Sequence, residues 1–175
     1  YDYFLTVKFG DGVELGLIKA LVTIFSTIDN ERGVRIDPPP AGQLYYKAFN
    51  PDQQLLDRNA RIYHPLELVV AEKDGKVTGT LLLVNALYKP GASASELEII
   101  ERPISCPQDL RKEIDAEAEQ ARKNSTRGRP EVIMVFAAPT LTYGQLMTFL
   151  KPVLATHTTI HVYLDDPMPP IPKKP

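Results

Sequence analysis

The residues from Pro130 to Leu164 constrain this chain most, because they spell a strand, a helix and a second strand in immediate succession. Val132, Ile133, Met134, Val135 and Phe136 form the short, apolar, β-branched run expected of a strand buried on both faces. Thr142 and Gln145 then have capping-box spacing: the hydroxyl accepts from the amide three residues on, and the glutamine side chain accepts from the threonine amide. Leu141 and Leu146 stand where a hydrophobic staple would pack around that cap. Leu146, Phe149, Leu150, Val153 and Leu154 recur at helical spacing, and Thr159 to Leu164 returns to a strand pattern. Such a βαβ unit needs parallel strands and a right-handed crossover, so its helix should lie on one face of a mixed or parallel sheet.

The pattern upstream extends the same architecture. Leu66 to Val70 and Val77 to Val84 flank Asp74-Gly75, the dipeptide that best supplies the two positive φ angles of a type I′ turn, so they form a hairpin. Leu97 to Ile100 suggests a further strand, and Ser105 to Pro107 opens a helix running from about Gln108 to Lys123. That helix carries Asp109, Glu113 and Asp115 toward its positive end, Arg122 and Lys123 at its negative end, and a thin apolar stripe of Leu110, Ile114, Ala118 and Ala121. The expected fold is α/β (α+β): a mixed sheet with helices on one face, a β-hairpin followed by βαβαβ, and an N-terminal β-α extension.

In that extension Tyr3 to Phe9 alternates as a strand, and Asp11-Gly12 turns into a helix with an expected core face of Leu17, Ile18, Leu21, Ile24, Phe25 and Ile28. Arg32-Gly33 ends it, and Val34 to Ile36 could form a short strand before the extended Pro38-Pro39-Pro40. Between Gln43 and Pro65, two short strands and a loop packed by aromatics are equally compatible with the pattern. The chain thus divides into residues 1–37, a strand-helix extension; 38–65, a proline- and aromatic-rich connection; 66–166, the α/β core; and 167–175, a proline-rich tail.

Composition excludes some functions. A formal charge of −2 and a pI near 5.9 provide no basic footprint for nucleic acid. The longest apolar segment, Leu15 to Ile28, is interrupted by Lys19 and falls short of the ~20 residues that cross a bilayer. A chain opening at Tyr1 without an initiator methionine reads as processed or excised, leaving room for a signal peptide or anchor before it. At 175 residues it buries enough surface to fold without staples, and the lone Cys106 can make no internal disulfide.

Chemistry is sparse. His157 and His161 have zinc-helix spacing, but the second falls in a strand, where four residues span ~13 Å and cannot share one ion. Cys106 at a helix start could carry a lowered pKa, yet it reads better as a cap residue. Asp165-Asp166 more often ends a strand than forms a site, Asn124-Ser125-Thr126 is a common tripeptide, and PxxP spacing is inevitable in the tail. There is no G-x-S-x-G elbow and no glycine-rich phosphate loop after a strand. No catalytic residue, metal ligand or cofactor is therefore assigned. Tyr45, Tyr46 and Phe49, with Tyr63 nearby, either cover the sheet as a satellite core or form an aromatic surface for a partner.

The succession from Leu66 onward, with Asp74, Gly75, Tyr143 and Leu146 at matching points, resembles the periplasmic domain of the ExbD/TolR family of biopolymer transport proteins. The resemblance covers a little over half of the chain. It departs at Ala137-Ala138-Pro139, where the family usually has an acidic residue, and residues 1–63 have no counterpart in it. It implies an envelope-facing, non-catalytic binding and assembly domain on the periplasmic side of the inner membrane, part of a subunit that helps a motor use the proton gradient. Its partners would be proteins or a cell-wall component, with a weak homodimer formed through a sheet edge or the Asp109 to Lys123 helix, and with the membrane reached only through a segment absent here. Tyr45, Tyr46, Phe49 and Tyr143 are the candidate partner-binding residues. The alternative is a soluble, cytoplasmic α/β enzyme or small-molecule binder with its site at the C-terminal strand edges near Pro139 and Asp165.

Overall fold

The computed structural model describes residues 6–26, 34–36, 43–47, 66–87, 96–123, 132–154 and 159–163. In chain order they form β1 (Thr6–Val7), α1 (Leu15–Ser26), β2 (Val34–Ile36), β3 (Gln43–Lys47), β4 (Leu66–Lys73) and β5 (Lys76–Leu87). Then come β6 (Glu96–Ile104), α2 (Pro107–Lys123), β7 (Val132–Ala137), α3 (Tyr143–Leu154) and β8 (Thr159–Tyr163). All eight described strands join one mixed sheet in the order β1-β2-β3-β8-β7-β4-β5-β6.

The βαβ unit is present as its sequence requires: β7 and β8 are parallel neighbours, with Ile133 opposite Ile160 and Val135 opposite Val162. On its other side β7 runs parallel to β4, and β4 turns into β5 through Asp74 and Gly75 at φ 53° and 73°. Two successive positive φ angles match the twist of the flanking strands. The strand expected at Leu97 to Ile100 is longer, running through Pro103 to Ile104. It tolerates a proline because β6 is the last of the described strands, where a residue without an N–H can turn that side outward.

Strand alternation separates two faces. Leu66, Leu68 and Val70 of β4, Ile133, Val135 and Ala137 of β7, and Ile160 and Val162 of β8 share one core with Leu15 and Ile18 of α1, Leu110 and Ile114 of α2, and the apolar stripe of α3. All three described helices therefore lie on one face. Gly79 of β5 brings α3 close: a Cβ there would stand 3.2 Å from the Phe149 ring and 3.0 Å from the Val69 carbonyl oxygen. On the other face Met134, Phe136 and Tyr163 cluster with Val69, and the Phe136 and Tyr163 rings stack at 5.2 Å. Glu67, in register with Met134, is buried on the same side at 1% exposure.

The core face expected for α1 is corrected. Leu15 and Ile18 are buried, whereas Leu17 and Ile24 are 60% and 61% exposed and Leu21 is exposed as well. With Lys19 the only charge in its twelve residues, α1 offers apolar side chains in every direction, and periodicity alone cannot select the buried face. The side chain of Phe25 and all of Ile28 lie outside the described residues, as do those of Ala118 and Ala121 in the α2 stripe. Of the strand expected over Tyr3 to Phe9, only Thr6 and Val7 are strand within the described part.

Candidate functional site

The loops that begin α1 and α3 are bonded to each other. Leu15 N–H donates to the Leu141 carbonyl at 2.8 Å and Gly16 N–H to Pro139 at 2.8 Å. In return Tyr143 N–H donates to Val13 at 2.7 Å and Gly144 N–H to Asp11 at 2.9 Å, with a β-bridge between Glu14 and Thr142 at the centre. The capping box completes the α3 start: Thr142 N–H donates to Gln145 Oε1 at 2.7 Å, and Gln145 N–H to Thr142 Oγ1 at 3.2 Å. Gln145 Nε2 then reaches Glu72 Oε2 at 3.1 Å, tying the cap to β4.

This lock has a chemical consequence. A helix start binds anions through amides left without an intrahelical acceptor. In α3 the Tyr143, Gly144 and Gln145 amides already have acceptors, so an anion would have to displace Val13, Asp11 or Thr142. The carboxyl end of β7 around Pro139, one of the two positions suggested by sequence for an enzyme or ligand site, is occupied by the α1 start. Asp165, the other, lies outside the described residues.

Beside the lock is an open cleft of about 580 Å³ lined by Asp11, Gly12, Val77, Pro107, Gln145 and Phe149, among others. Tyr143 stands nearby, its ring 5.9 Å from that of Phe9, and its phenol pKa is raised by burial and then by the charge of Asp11. Cys106 is partly buried, and its carbonyl accepts from Leu110 N–H, the role of a cap residue. Among the described residues no three His, Cys, Asp or Glu side chains are grouped to hold a metal ion.

The proposed partner-binding residues fall in different places. Tyr143 is the first residue of α3. Tyr45 and Tyr46 are consecutive in β3, Tyr45 in register with His161 and Tyr46 with Val162, so they belong to alternate rows of the sheet. Phe49 and Tyr63 lie outside the described residues, as do His157 and the 167–175 tail.

A feature that sequence reading passed over is the β6 margin. Arg102 bonds Glu113 and Glu117 of α2, clamping the helix to the last strand, and the Glu113 hydrogen bond raises the Arg102 pKa further. The missed signal was the i, i+4 glutamate pair of α2, which repels unless a cation sits between its members. Arg111 bonds Asp115 within α2 and donates to the Pro152 carbonyl of α3, which joins the two helices.

Fold and surface define a mixed α/β domain with all described helices on one face and a nine-residue strand at one margin. No protein-family model matches the chain, and no curated protein matches it. No described helix is long and apolar enough to cross a membrane.

Proposed function

We propose that this chain is a non-catalytic binding and assembly domain, similar to the periplasmic part of a biopolymer transport subunit coupled to the proton gradient. The observation that carries this reading is the order of elements: hairpin β4–β5, strand β6, helix α2, strand β7, capped helix α3 and strand β8. That is the succession the ExbD/TolR resemblance implies. Parallel pairing of β4, β7 and β8 places α3 in the crossover between neighbouring strands. In this reading the domain faces the cell envelope, engages protein or a cell-wall component, and self-associates weakly. An excised domain loses the local concentration that a membrane anchor supplies, an effect on the order of a hundredfold or more in apparent binding.

In-cell crosslinking of the full-length protein, with fractionation of the envelope, tests the proposal. Recovery in the envelope crosslinked to inner-membrane motor subunits is the expected result. A cytoplasmic monomer that turns over a hydrolytic substrate panel would overturn it.

A further inference from the structure

The cleft beside the lock combines apolar surface with two carboxylates that no described cation neutralises. Val77 and Pro107, both half-buried, supply the apolar surface with Phe149 beneath them, and Asp11 lines the same space. Glu72 belongs at its edge for two reasons. It is the register partner of Val77 between β4 and β5, and its Oε2 accepts from the side chain of Gln145, another lining residue. Strand alternation puts Glu72 on the helix face with Leu68 and Val70, and it turns the neighbouring Lys73 and Lys76 to the other face. A neutral amide occupies one oxygen of Glu72 without cancelling its charge. The charge of Asp11 reaches Tyr143, whose phenol it helps to keep protonated. Among the described residues the ion pairs lie elsewhere, on α2 and β6.

That chemistry selects an occupant. An anion finds the α3 amides already taken by Val13, Asp11 and Thr142 and meets two negative charges. A bare divalent cation needs a denser set of oxygen ligands than two carboxylates beside apolar side chains provide. A cation on an apolar stem satisfies both surfaces, its methylenes against Val77, Pro107 and Phe149 and its head at Asp11 and Glu72. The volume of about 580 Å³ falls among ligand sites, roughly 300–1,000 Å³, but such sites enclose most of a small molecule and this cleft is open. A side chain presented by another protein needs covering on one side only. We infer that the cleft docks a lysine or arginine side chain of a partner protein. The lock and the capping box hold Asp11 and Gln145 in place before the partner arrives, which lowers the cost of ordering them. The inference deepens the binding-domain reading and rests on it.

The test follows the amides of the whole chain by NMR during titration with capped alanine pentapeptides whose central residue is lysine, its uncharged analogue norleucine, or glutamate, and with free butylamine. The lysine peptide is expected to shift the amides of residues 12, 77 and 148 and to bind about fivefold or more tightly than the norleucine peptide. That advantage should fade at about 1 M salt, and the glutamate peptide should leave the amides unmoved. The double substitution Asp11→Asn and Glu72→Gln keeps both side-chain shapes and the acceptor for Gln145, so Tm should hardly change while the lysine and norleucine peptides bind equally. If that variant does not fold, Glu72→Gln alone keeps the test and should cut the preference by about twofold or more. Equal binding of the lysine and norleucine peptides to the parent, shifts confined to other residues, or a preference unchanged in the variants would overturn the assignment. Butylamine binding as tightly as the lysine peptide would overturn it too, marking a site for free amines. Crosslinking the full-length double variant in cells separates the two proposals: loss of the parent's envelope partners is expected, their retention means the domain binds elsewhere, and their absence from the parent too means the domain reading fails.

Discussion

The Gly144 amide donates to the Asp11 carbonyl at 2.9 Å, and the two backbones meet so closely that a Cβ on residue 144 would stand 2.8 Å from the Asp11 Cβ. This contact joins the starts of two helices that lie far apart in the chain, and it leaves no room for any other residue.

Gly144→Ala should therefore destabilise the protein. Alanine gains about 1 kcal/mol of helix propensity over glycine, but the overlap with Asp11 forces the α1 loop away, and overpacking of this kind costs about 1–3 kcal/mol. A net loss of up to about 2 kcal/mol in urea unfolding is expected. A gain of the full helix-propensity increment would mean that the two loops are not held together.

The corrected face of α1 is tested by a pair of substitutions. Ile18→Ala opens a cavity in the shared core and should cost about 2–4 kcal/mol, whereas Leu17→Ser, on an exposed position, should stay within about 1 kcal/mol. Denaturant midpoints measure both, and equal losses would return Leu17 to the core.

Removing the clamp cation leaves Glu113 and Glu117 facing each other one turn apart. Arg102→Met is expected to cost about 1 kcal/mol at low salt, since the pair groups are partly exposed, and less at high salt as repulsion is screened. A cost independent of salt would assign the role of Arg102 to packing.

Burial pushes the Tyr163 phenol up to about 12. The neutral, protonated form is the one the fold favours, so the stability linked to this group is fully present below the unfolded value near 10 and is lost as pH rises toward 12. Tyr163→Phe cannot ionise and should flatten the loss of stability between pH 10 and 12, measured by chemical denaturation. An identical slope in parent and variant would place Tyr163 in contact with water.

Much of the fold was legible in the residues because its signals are local. The capping box of Thr142 and Gln145 forms with both its bonds, Asp74-Gly75 makes the hairpin turn, and Leu146, Phe149, Leu150, Val153 and Leu154 are all buried. Each depends on neighbours within one or two turns of chain, where side-chain chemistry and spacing dictate conformation directly.

Only the tertiary structure decided which face of α1 is buried, that β6 stands last among the described strands, and that the α1 and α3 starts lock together. A helix with apolar residues on every side acquires its inner face from the sheet it meets, as Leu15 and Ile18 do here. Strand order depends on pairings between distant segments, such as β4 with β7. The bonds from Leu15, Gly16, Tyr143 and Gly144 run between backbone groups that nearly every residue possesses, so no pattern of side chains announces them.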